Sequence, residues 1–551
     1  MSPGDGAGPD GWQRLDKRAV LVTALVMAGL AAGVCAPVLL GLGGGALFGD
    51  GPRRGGVLPL LAAAVVPVLG GAAVEYVRWS RTRYRIGPER AELHSGLLLV
   101  KRRSLARSRI RSVDLTAHPL LRVLGLVKVR IGTGEHTGGD STLELHPVSR
   151  AEGERLRREL LARPAAPAGD GHRNGLLAAL DPRWIRYAPL SFVAPLLGGA
   201  AAGGVMQVGE WFGAQDEVIT WVGDRFRDTS VGWVVLALGT AALLAGVVGA
   251  LGLWVEMWWN HRLEREPGGT LRVRRGLLTT RSISVEERRL RGVEVVEPLG
   301  ARLAGAARVD AVATGIAEPG DDRHADHKTL LPPVPRHLAH EVAARVLREA
   351  VAPTGTPLTA HPRAARARRL RWGAGAALLP LLVLAVLGVV LTGEPAEAVS
   401  VVAVGCALVL PPLAVLAALD AYRGLGHGIS GAYLVTRSGT VLRATVALHR
   451  GGVIGWTIGQ SYFQRRAGLV TLTATTAAGA GAYHVHDADR SEGLAFARAA
   501  VPGLLEPFLE PAPKPDPEPD PDPDPDREPK PDPGPGPGRA VDDGGPAHPR
   551  G

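Results

Sequence analysis

The chain has 551 residues and a formal net charge of +10, and 46% of its residues are hydrophobic while only 5% are aromatic. This balance, together with 73 glycines, is unlike that of a string of soluble domains and indicates membrane helices. Its two cysteines, Cys35 and Cys406, lie in apolar stretches, so neither a disulfide framework nor a cysteine-based zinc site is expected.

Six uncharged apolar stretches predict six transmembrane helices. They cover residues 19–49, 57–74, 187–209, 231–255, 372–393 and 398–419. Each approaches or exceeds the roughly 20 apolar residues that cross a bilayer core of about 30 Å. Because the stretches come in pairs, we expect three helix hairpins, at 19–77, 187–258 and 372–420.

Positive charge concentrates on one side of these hairpins. The flank before the fifth helix alone holds Arg363, Arg366, Arg368, Arg369 and Arg371. The loop at 210–228, on the opposite side, carries five carboxylates. The positive-inside rule therefore predicts a multi-pass plasma-membrane protein with both termini, including residues 1–18, and all soluble domains in the cytoplasm.

One small soluble domain follows each hairpin, at 82–163, 262–350 and 427–509. Motifs at 96–98, 109–114 and 122–126 recur 180 residues later at 276–278, 289–294 and 302–306. The third copy is divergent and keeps them, 163 residues further on, at 439–441, 452–454 and 465–469. Alternating apolar and polar residues predict several antiparallel strands in each copy, and a helical period at its end predicts one C-terminal helix.

The first copy resembles the bacterial pleckstrin-homology-like domain of the YdbS-like and YdbT-like membrane proteins. The resemblance rests on Tyr84, the turn at Gly96, the Arg-Ile-Arg-Ser-Val run at 109–113 and the segment 120–126. The second copy has a broken start at 264–269, and the third lacks the Arg-x-Arg-x-Val element. The resemblance implies PH-like domains, each a small sheet barrel or sandwich closed by the C-terminal helix.

Eight arginines in the repeated motifs are candidate membrane or partner contacts. They are Arg109, Arg111, Arg122, Arg289, Arg291, Arg302, Arg465 and Arg466. Arg122, Arg302 and Arg465 mark the same turn in the three copies. A guanidinium there could bind a lipid phosphate through its planar fork, or could orient the loop against its own barrel.

The remaining motifs predict no chemistry. The chain contains no Walker loop, no Gly-x-Ser-x-Gly, no His-Glu-x-x-His and no Cys-x-x-Cys, so we expect no enzyme, no cofactor and no metal site. We expect the acidic Pro-Asp repeat at 510–551 to be a disordered tail. Nucleic acid is not expected among the partners.

Two functions remain open. The first is a non-enzymatic membrane scaffold whose three domains bind one another, partner proteins or anionic head groups; its partner would be a second copy or a second PH-like membrane protein. The second is a transporter or an export component for peptides or lipids, with the domains as gates. Some relatives are linked to envelope stress or peptide resistance, so the resemblance implies such a setting for either function.

Overall fold

The computed structural model describes eight segments of the chain. They are residues 12–41, 54–96, 101–110, 112–132, 142–161, 175–211, 213–314 and 328–508. The predicted tail at 510–551 and the candidate Arg111 lie outside the described residues. In the description below, domains 1, 2 and 3 are the repeats that follow the first, second and third hairpin.

The first repeat begins with a short strand before its helices. Its elements are β1 (Gln13–Arg14), α1 (Ala19–Gly41), α2 (Arg54–Arg81), β2 (Arg83–Ile86), β3 (Arg90–Ser95), β4 (Lys101–Ala106), β5 (Ser112–Ala117), α3 (Pro119–Val123), β6 (Leu126–Gly132), β7 (Thr142–Ser149) and α4 (Arg150–Leu161). Helices α1 and α2 pack against each other, and α4 packs on β5, β6 and β7. Pro119 at the first turn of α3 suits a helix start, where no amide hydrogen is needed.

The second repeat has the same order. Its elements are β8 (Gly175–Ala179), α5 (Val193–Trp211), α6 (Gln215–Arg225), α7 (Val231–Trp258), β9 (Arg262–Glu266), β10 (Thr270–Arg275), β11 (Thr280–Glu286), β12 (Leu290–Pro298), α8 (Leu299–Leu303), β13 (Ala306–Ala313), β14 (Thr329–Pro335) and α9 (Arg336–Leu347). A 3-10 helix at Pro182–Leu190 precedes α5. Helices α5 and α7 form the second hairpin.

The third repeat has a similar order of elements. Its elements are α10 (Arg363–Val390), α11 (Glu394–Arg423), β15 (Gly426–Ser430), β16 (Tyr433–Ser438), β17 (Leu442–His449), β18 (Val453–Gly459), α12 (Tyr462–Arg466), β19 (Leu469–Thr476), β20 (Ala482–Asp489) and α13 (Arg490–Ala500). Helices α10 and α11 pack against each other as the third hairpin.

Three helices of the described segments are long and apolar enough to cross a membrane. They are Gly232–Trp258, Arg363–Val390 and Val399–Arg423. A fourth span is reached if Pro182–Leu190 and Val193–Glu210, which are bent by 67° relative to each other, count as one. The described apolar part of α1 is the shorter Ala19–Gly33. Length and composition of the described helices thus support three spans, and four with the bent pair, rather than the six expected from the sequence.

Residues before and after each hairpin are adjacent in space. Strand β1 pairs antiparallel with β2 across the first hairpin, and β8 pairs with β9 across the second. Before the third hairpin, Thr359 forms an isolated antiparallel bridge with His427. The repeating unit is therefore longer than the predicted hairpin plus domain, because a short extended segment precedes each hairpin.

The sheets run through successive domains, which corrects the predicted closed barrels. The described strands form four open sheets, in the orders β1-β2-β3-β4, β7-β6-β5-β11-β10-β9-β8, β14-β13-β12-β17-β16-β15 and β18-β19-β20. The second half-sheet of domain 1 continues into the first half-sheet of domain 2, and domain 2 continues into domain 3 in the same way. A domain does not close into a barrel because one of its edge strands pairs with a strand of the neighbouring domain, as β5 does with β11 and β12 with β17.

The buried cores follow the domains rather than the sheets. Residues from both sheets of domain 1 and from α4, among them Val113, Val129 and Leu156, form one apolar cluster. A second cluster is centred on domain 2, and includes Tyr433 and Ala447 from domain 3. Each domain is thus built from two packed sheet layers, while hydrogen-bonded strands connect it to its neighbour.

Candidate functional site: the contacts between repeats

The two junctions between domains use the same strands in the same register. Strand β5 pairs with β11 so that Leu115 lies opposite Ser282. Strand β12 pairs with β17 so that Val295 lies opposite Thr445. With the sequence offsets between repeats, Leu115 corresponds to Val295 and Ser282 to Thr445. One interface is therefore used twice along the chain.

The repeated turn arginine reinforces both junctions. Arg122 on α3 donates a hydrogen bond to the carbonyl of Leu277 in domain 2. Arg302 on α8 donates to the carbonyl of Thr440 in domain 3 at 3.0 Å. Leu277 and Thr440 occupy the same position of the repeated Gly turn. The arginine of domain 1 and that of domain 2 thus each bind the turn of the next domain, a contact between repeats that sequence reasoning missed.

A cluster of two buried arginines and two partly exposed carboxylates joins α4 of domain 1 to β9 and β10 of domain 2. This ion-pair cluster is formed by Glu154, Arg157, Glu266 and Arg272. Arg157 donates to both carboxylate oxygens of Glu266, at 2.8 and 3.1 Å. Arg272 donates to Glu154 at 2.6 Å and to Glu266 at 3.1 Å. The two arginine side chains are only 5% and 4% exposed. The cluster satisfies all four charges at the junction, as burial of charge requires.

The electrostatics of this cluster favour the ionised carboxylates. Desolvation acts to raise the pKa of Glu154 and Glu266, but hydrogen bonds and charges from Arg272 and Arg157 outweigh it. The net pKa of both carboxyl groups is lowered. No sequence motif marks these residues, since Glu154 and Arg157 at i and i+3 of a charged helix read as an ordinary surface pair.

Ion pairs also attach the domains to the hairpins. Arg302 donates to Asp420 near the end of α11 at 2.7 Å, and Arg443 of domain 3 donates to the same carboxylate at 2.9 Å. Asp487 of domain 3 is fully buried and pairs with Arg368 and, at 3.1 Å, with Arg369, both on α10. The arginines that the positive-inside rule used as a topology signal therefore include specific structural contacts.

The other candidate arginines occupy different surroundings. Arg289 donates to the carbonyl of Ile110 at 3.1 Å and pairs with Glu286 at 2.9 Å, and so contributes to the first junction. Arg291 lies against Gly452 of domain 3. Arg109, Arg465 and Arg466 are exposed. The predicted role of membrane or partner contact remains a prediction for this exposed group.

Arg302 and Arg465 form a matched pair for a test, because they occupy the same repeat position, but Arg302 contacts the turn of the next domain whereas Arg465 is exposed. Arg302 is 8% exposed, and its loss would leave the carboxylate of Asp420 with one arginine fewer. We expect Arg302→Ala to destabilise the junction by about 1.5–3 kcal/mol, the usual loss for a charge-assisted hydrogen bond. Arg465→Ala should change stability by less than about 0.5 kcal/mol, as at other surface positions. Thermal unfolding of the full chain in detergent measures both.

Two buried histidines lie between the third hairpin and domain 3. His361 Nε2 is 3.1 Å from His427 Nδ1, and His361 also contacts the carbonyl of Asp487. Desolvation, with the neighbouring His427, lowers the pKa of His361 from 6.5 to about 4. Burial also lowers the pKa of His427. Both imidazoles are therefore neutral in the folded protein near pH 7.

This pair makes domain 3 sensitive to acid. Between pH 6.5 and about 4 the unfolded chain takes up a proton at His361 that the folded chain does not, so stability falls as pH falls. We expect the protonation of His361 in the unfolded chain to lower the free energy of unfolding by about 2 kcal/mol between pH 7 and pH 5. His361→Gln should reduce this slope in pH-dependent unfolding of the full chain, whereas Gln at the exposed His337 should not. An equal slope in wild type and His361→Gln would contradict the assignment.

No group of three or more His, Cys, Asp or Glu side chains that could hold a metal occurs among the described residues. His484 and His486 stack on each other with ring centroids 5.2 Å apart. The polar run at 321–327 lies outside the described segments. The polar clusters described above connect one domain to the next and the domains to the helices.

Comparison with known proteins agrees with this architecture. The family model described as "Bacterial PH domain" matches residues 26–164 and 377–500. Each matched segment contains part of a hairpin and the domain that follows it. The chain is 22% identical over 274 residues to "UPF0699 transmembrane protein YdbT" of Bacillus subtilis (strain 168), which is 47% of this chain and 54% of that protein.

The chain therefore spans about half the length of this curated relative. No solved structure matches the chain significantly. Two segments that match the PH-domain model, helices apolar enough to cross a membrane and the transmembrane relative all support the same conclusion. The chain is a membrane protein with bacterial PH domains and is similar to YdbT.

Proposed function

We propose that this protein is a non-enzymatic membrane scaffold. Its three PH-like domains act as one continuous binding surface on the cytoplasmic side of the plasma membrane, where it holds partner proteins or anionic head groups. The observation that carries the proposal is the sharing of sheets between domains, since β5 pairs with β11 and β12 pairs with β17. Domains joined by hydrogen-bonded strands and by an ion-pair cluster with buried arginines keep a fixed spacing, which is what a scaffold requires.

We further propose that each of the three hairpins crosses the membrane twice. The antiparallel neighbours β1 and β2 flank the first hairpin, and β8 and β9 flank the second, so both ends of a hairpin lie on one side. An even number of crossings satisfies this geometry. The basic flanks support a cytoplasmic position for that side under the positive-inside rule.

The domain surface near the third hairpin suits an anionic membrane. Arg366 and Arg371 are exposed at the start of α10, next to Trp372, which is 69% exposed. Trp372 begins the uncharged part of α10, and tryptophan at the edge of an apolar span is typical of the membrane interface, where each nearby arginine gains about 1 kcal/mol from an anionic leaflet. Lipid head groups and partner proteins would both contact the domains near these arginines.

The contacts between domains favour a rigid arrangement over domains that move as the gates of a transporter. A transporter whose domains acted as gates would need domains that move independently, and each such movement would break a strand ladder or the cluster of Arg157, Arg272 and their two carboxylates. The contacts of Asp487 with Arg368 and Arg369 also fix domain 3 to α10. We therefore place transport second.

Photo-crosslinking in living cells tests the scaffold. A photoreactive amino acid at Phe463, which is 64% exposed on α12, should give adducts with proteins or lipids. The same group at Val470, which is 2% exposed, is the matched control and should give none. Absence of any adduct at Phe463, combined with solute or peptide transport by reconstituted vesicles, would replace the scaffold with the transporter.

Thiol labelling tests the orientation in a chain with Cys35 and Cys406 replaced by Ala. A cysteine at the exposed Thr457 of domain 3 should react with an impermeant reagent only after lysis. A cysteine at Ser230, between α6 and α7, should react in intact cells. Labelling of Thr457→Cys in intact cells would overturn the cytoplasmic placement.

A further inference from the structure

The array of three domains ends in two strands whose equivalents are paired elsewhere in the chain. By the repeat offsets, β18 of domain 3 corresponds to β5 and β12, which each pair with the following domain. Strand β4 of domain 1 corresponds to β11 and β17, which each pair with the preceding domain. In the described sheets β18 and β4 are both edge strands. The chain thus presents, at its two ends, the two halves of the interface that it uses internally.

Exposure along β18 differs from that of its equivalents. Ile458 is 44% exposed, whereas the corresponding Val295 is 1% and Leu115 is 6% exposed. Ile454, at the start of the strand, is 64% exposed. Ile458 is exposed because no described strand pairs with this edge of β18. Such an edge is a template for pairing with another strand.

Gly455 on β18 leaves the space that pairing with another strand requires. Gly455 corresponds to Gly292, where an added Cβ would collide with the carbonyl oxygen of Ala447 in the next domain. A Cβ on Gly455 would meet nothing within 4 Å. Both glycines follow the same ladder irregularity, between Leu290 and Gly292 and between Val453 and Gly455. The space that Gly292 leaves for a neighbouring strand is therefore also left at Gly455, although no described strand fills it.

We propose that β18 of one chain pairs antiparallel with β4 of a second copy, so that the protein assembles head to tail in the membrane. Both internal junctions predict one register, with Gly455 opposite Leu105, Thr457 opposite Arg103 and Ile458 opposite Arg102. Basic residues on β4 are compatible with the pairing, because Arg281, which corresponds to Lys101, lies opposite Thr116 in the first junction.

A second copy is the occupant that the chain itself specifies. Its β4 is an edge of the same kind as the β11 and β17 edges that the equivalents of β18 already bind. Membrane hairpins hold all copies at one depth and in one orientation, which brings the two edges to the same level. A heterologous contact of this kind generates a ring or an open array, depending on the rotation between copies. The inference rests on the proposed scaffold and names its partner.

Cross-linking of two differently tagged full-length chains tests the proposal, with Cys35 and Cys406 replaced by Ala in both. One chain carries Thr457→Cys and the other Arg103→Cys, and both are co-expressed and oxidised in membranes. Directly opposite residues of an antiparallel pair have Cβ atoms about 4.5–5.5 Å apart, close enough to capture as a disulfide. We expect a band at twice the monomer mass that carries both tags. Replacing Arg103→Cys by Ser104→Cys shifts the register by one and should largely remove this band.

Two valine variants on β18 separate pairing from folding. Gly455→Val should abolish the cross-linked dimer, because the side chain fits the single chain but blocks the approaching strand. Gly459→Val is the matched control, since its equivalents in the paired strands are Val296 and Thr116, and it should keep the dimer. Both should leave thermal unfolding unchanged.

Two results would overturn the proposal. One is the absence of a mixed dimer in the predicted register. The other is an internal disulfide in a single chain that carries both Thr457→Cys and Arg103→Cys, because this would mean that β18 pairs with β4 of its own chain. Neither result affects the adducts at Phe463 that test the scaffold, so failure of the two proposals can be distinguished.

Discussion

Glu266→Ala should separate domain 1 from domain 2. Arg157 and Arg272 would then share the single carboxylate of Glu154, while their side chains are only 5% and 4% exposed. Breaking a fully buried ion pair costs about 3–5 kcal/mol, and we expect about 3 kcal/mol here because Glu266 is 26% exposed and Glu154 remains as a partner. We expect this loss in the free energy of unfolding of the full chain in detergent, together with faster proteolysis between the two domains.

The pair between Arg85 and Glu92 is the control for Glu266→Ala, because its carboxylate is as exposed as that of Glu266 but its arginine is exposed rather than buried. Its side chains are 41% and 25% exposed and lie in one domain, 2.7 Å apart. Glu92→Ala should cost no more than about 1 kcal/mol, because water screens such pairs. Equal effects of the two substitutions would mean that the ion-pair cluster of Glu154, Arg157, Glu266 and Arg272 does not stabilise the junction.

Gly246→Val should disrupt the second hairpin. Gly246 on α7 faces α5, where an added Cβ would collide with the carbonyl oxygen of Ala194 and meet the amide nitrogen of Gly198 at 2.8 Å. Since both neighbours are backbone, no side-chain rotation can make room, and the helices must move apart. Overpacking of this kind costs about 1–3 kcal/mol, and the rigid backbone contact places Gly246 at the upper end.

Gly239→Val on the same helix is the matched control, because a Cβ at Gly239 meets nothing within 4 Å. Both substitutions carry the same change in intrinsic helix propensity, so their difference reports packing alone. Unfolding in detergent monitored by tryptophan fluorescence should show an early transition for Gly246→Val and a wild-type transition for Gly239→Val. Identical transitions would contradict the close contact of α5 with α7.

The glycines of the hairpins illustrate the limit of sequence reasoning. Many glycines along the apolar stretches could allow close helix packing, among them Gly29 and Gly33 in the first. In the structure a Cβ at either of these meets nothing within 4 Å, whereas Gly198 and Gly246 face backbone. The choice between them depends on how each helix is rotated toward its partner. A composition rich in glycine carries no information about that rotation.

The junction residues show a related limit. Arg122 and Arg302 are visible in the sequence as one position kept among the copies, which made them candidates for membrane or partner contact. Their acceptors are carbonyl groups of Leu277 and Thr440, which carry no side-chain signature. Backbone acceptors cannot be recognised before the domains are placed side by side.

The sequence by itself determined the triplicated domain, the apolar helix pairs and the resemblance to bacterial PH domains, because periodicity and repeated motifs are local properties of the chain. Only the tertiary structure decided that the sheets run from one domain into the next. An edge strand such as β5 has the same alternating pattern whether it pairs within its own domain or with β11, since hydrogen bonding by backbone groups does not depend on the side chains. Pairing between repeats is therefore selected by packing, and it appears only in three dimensions.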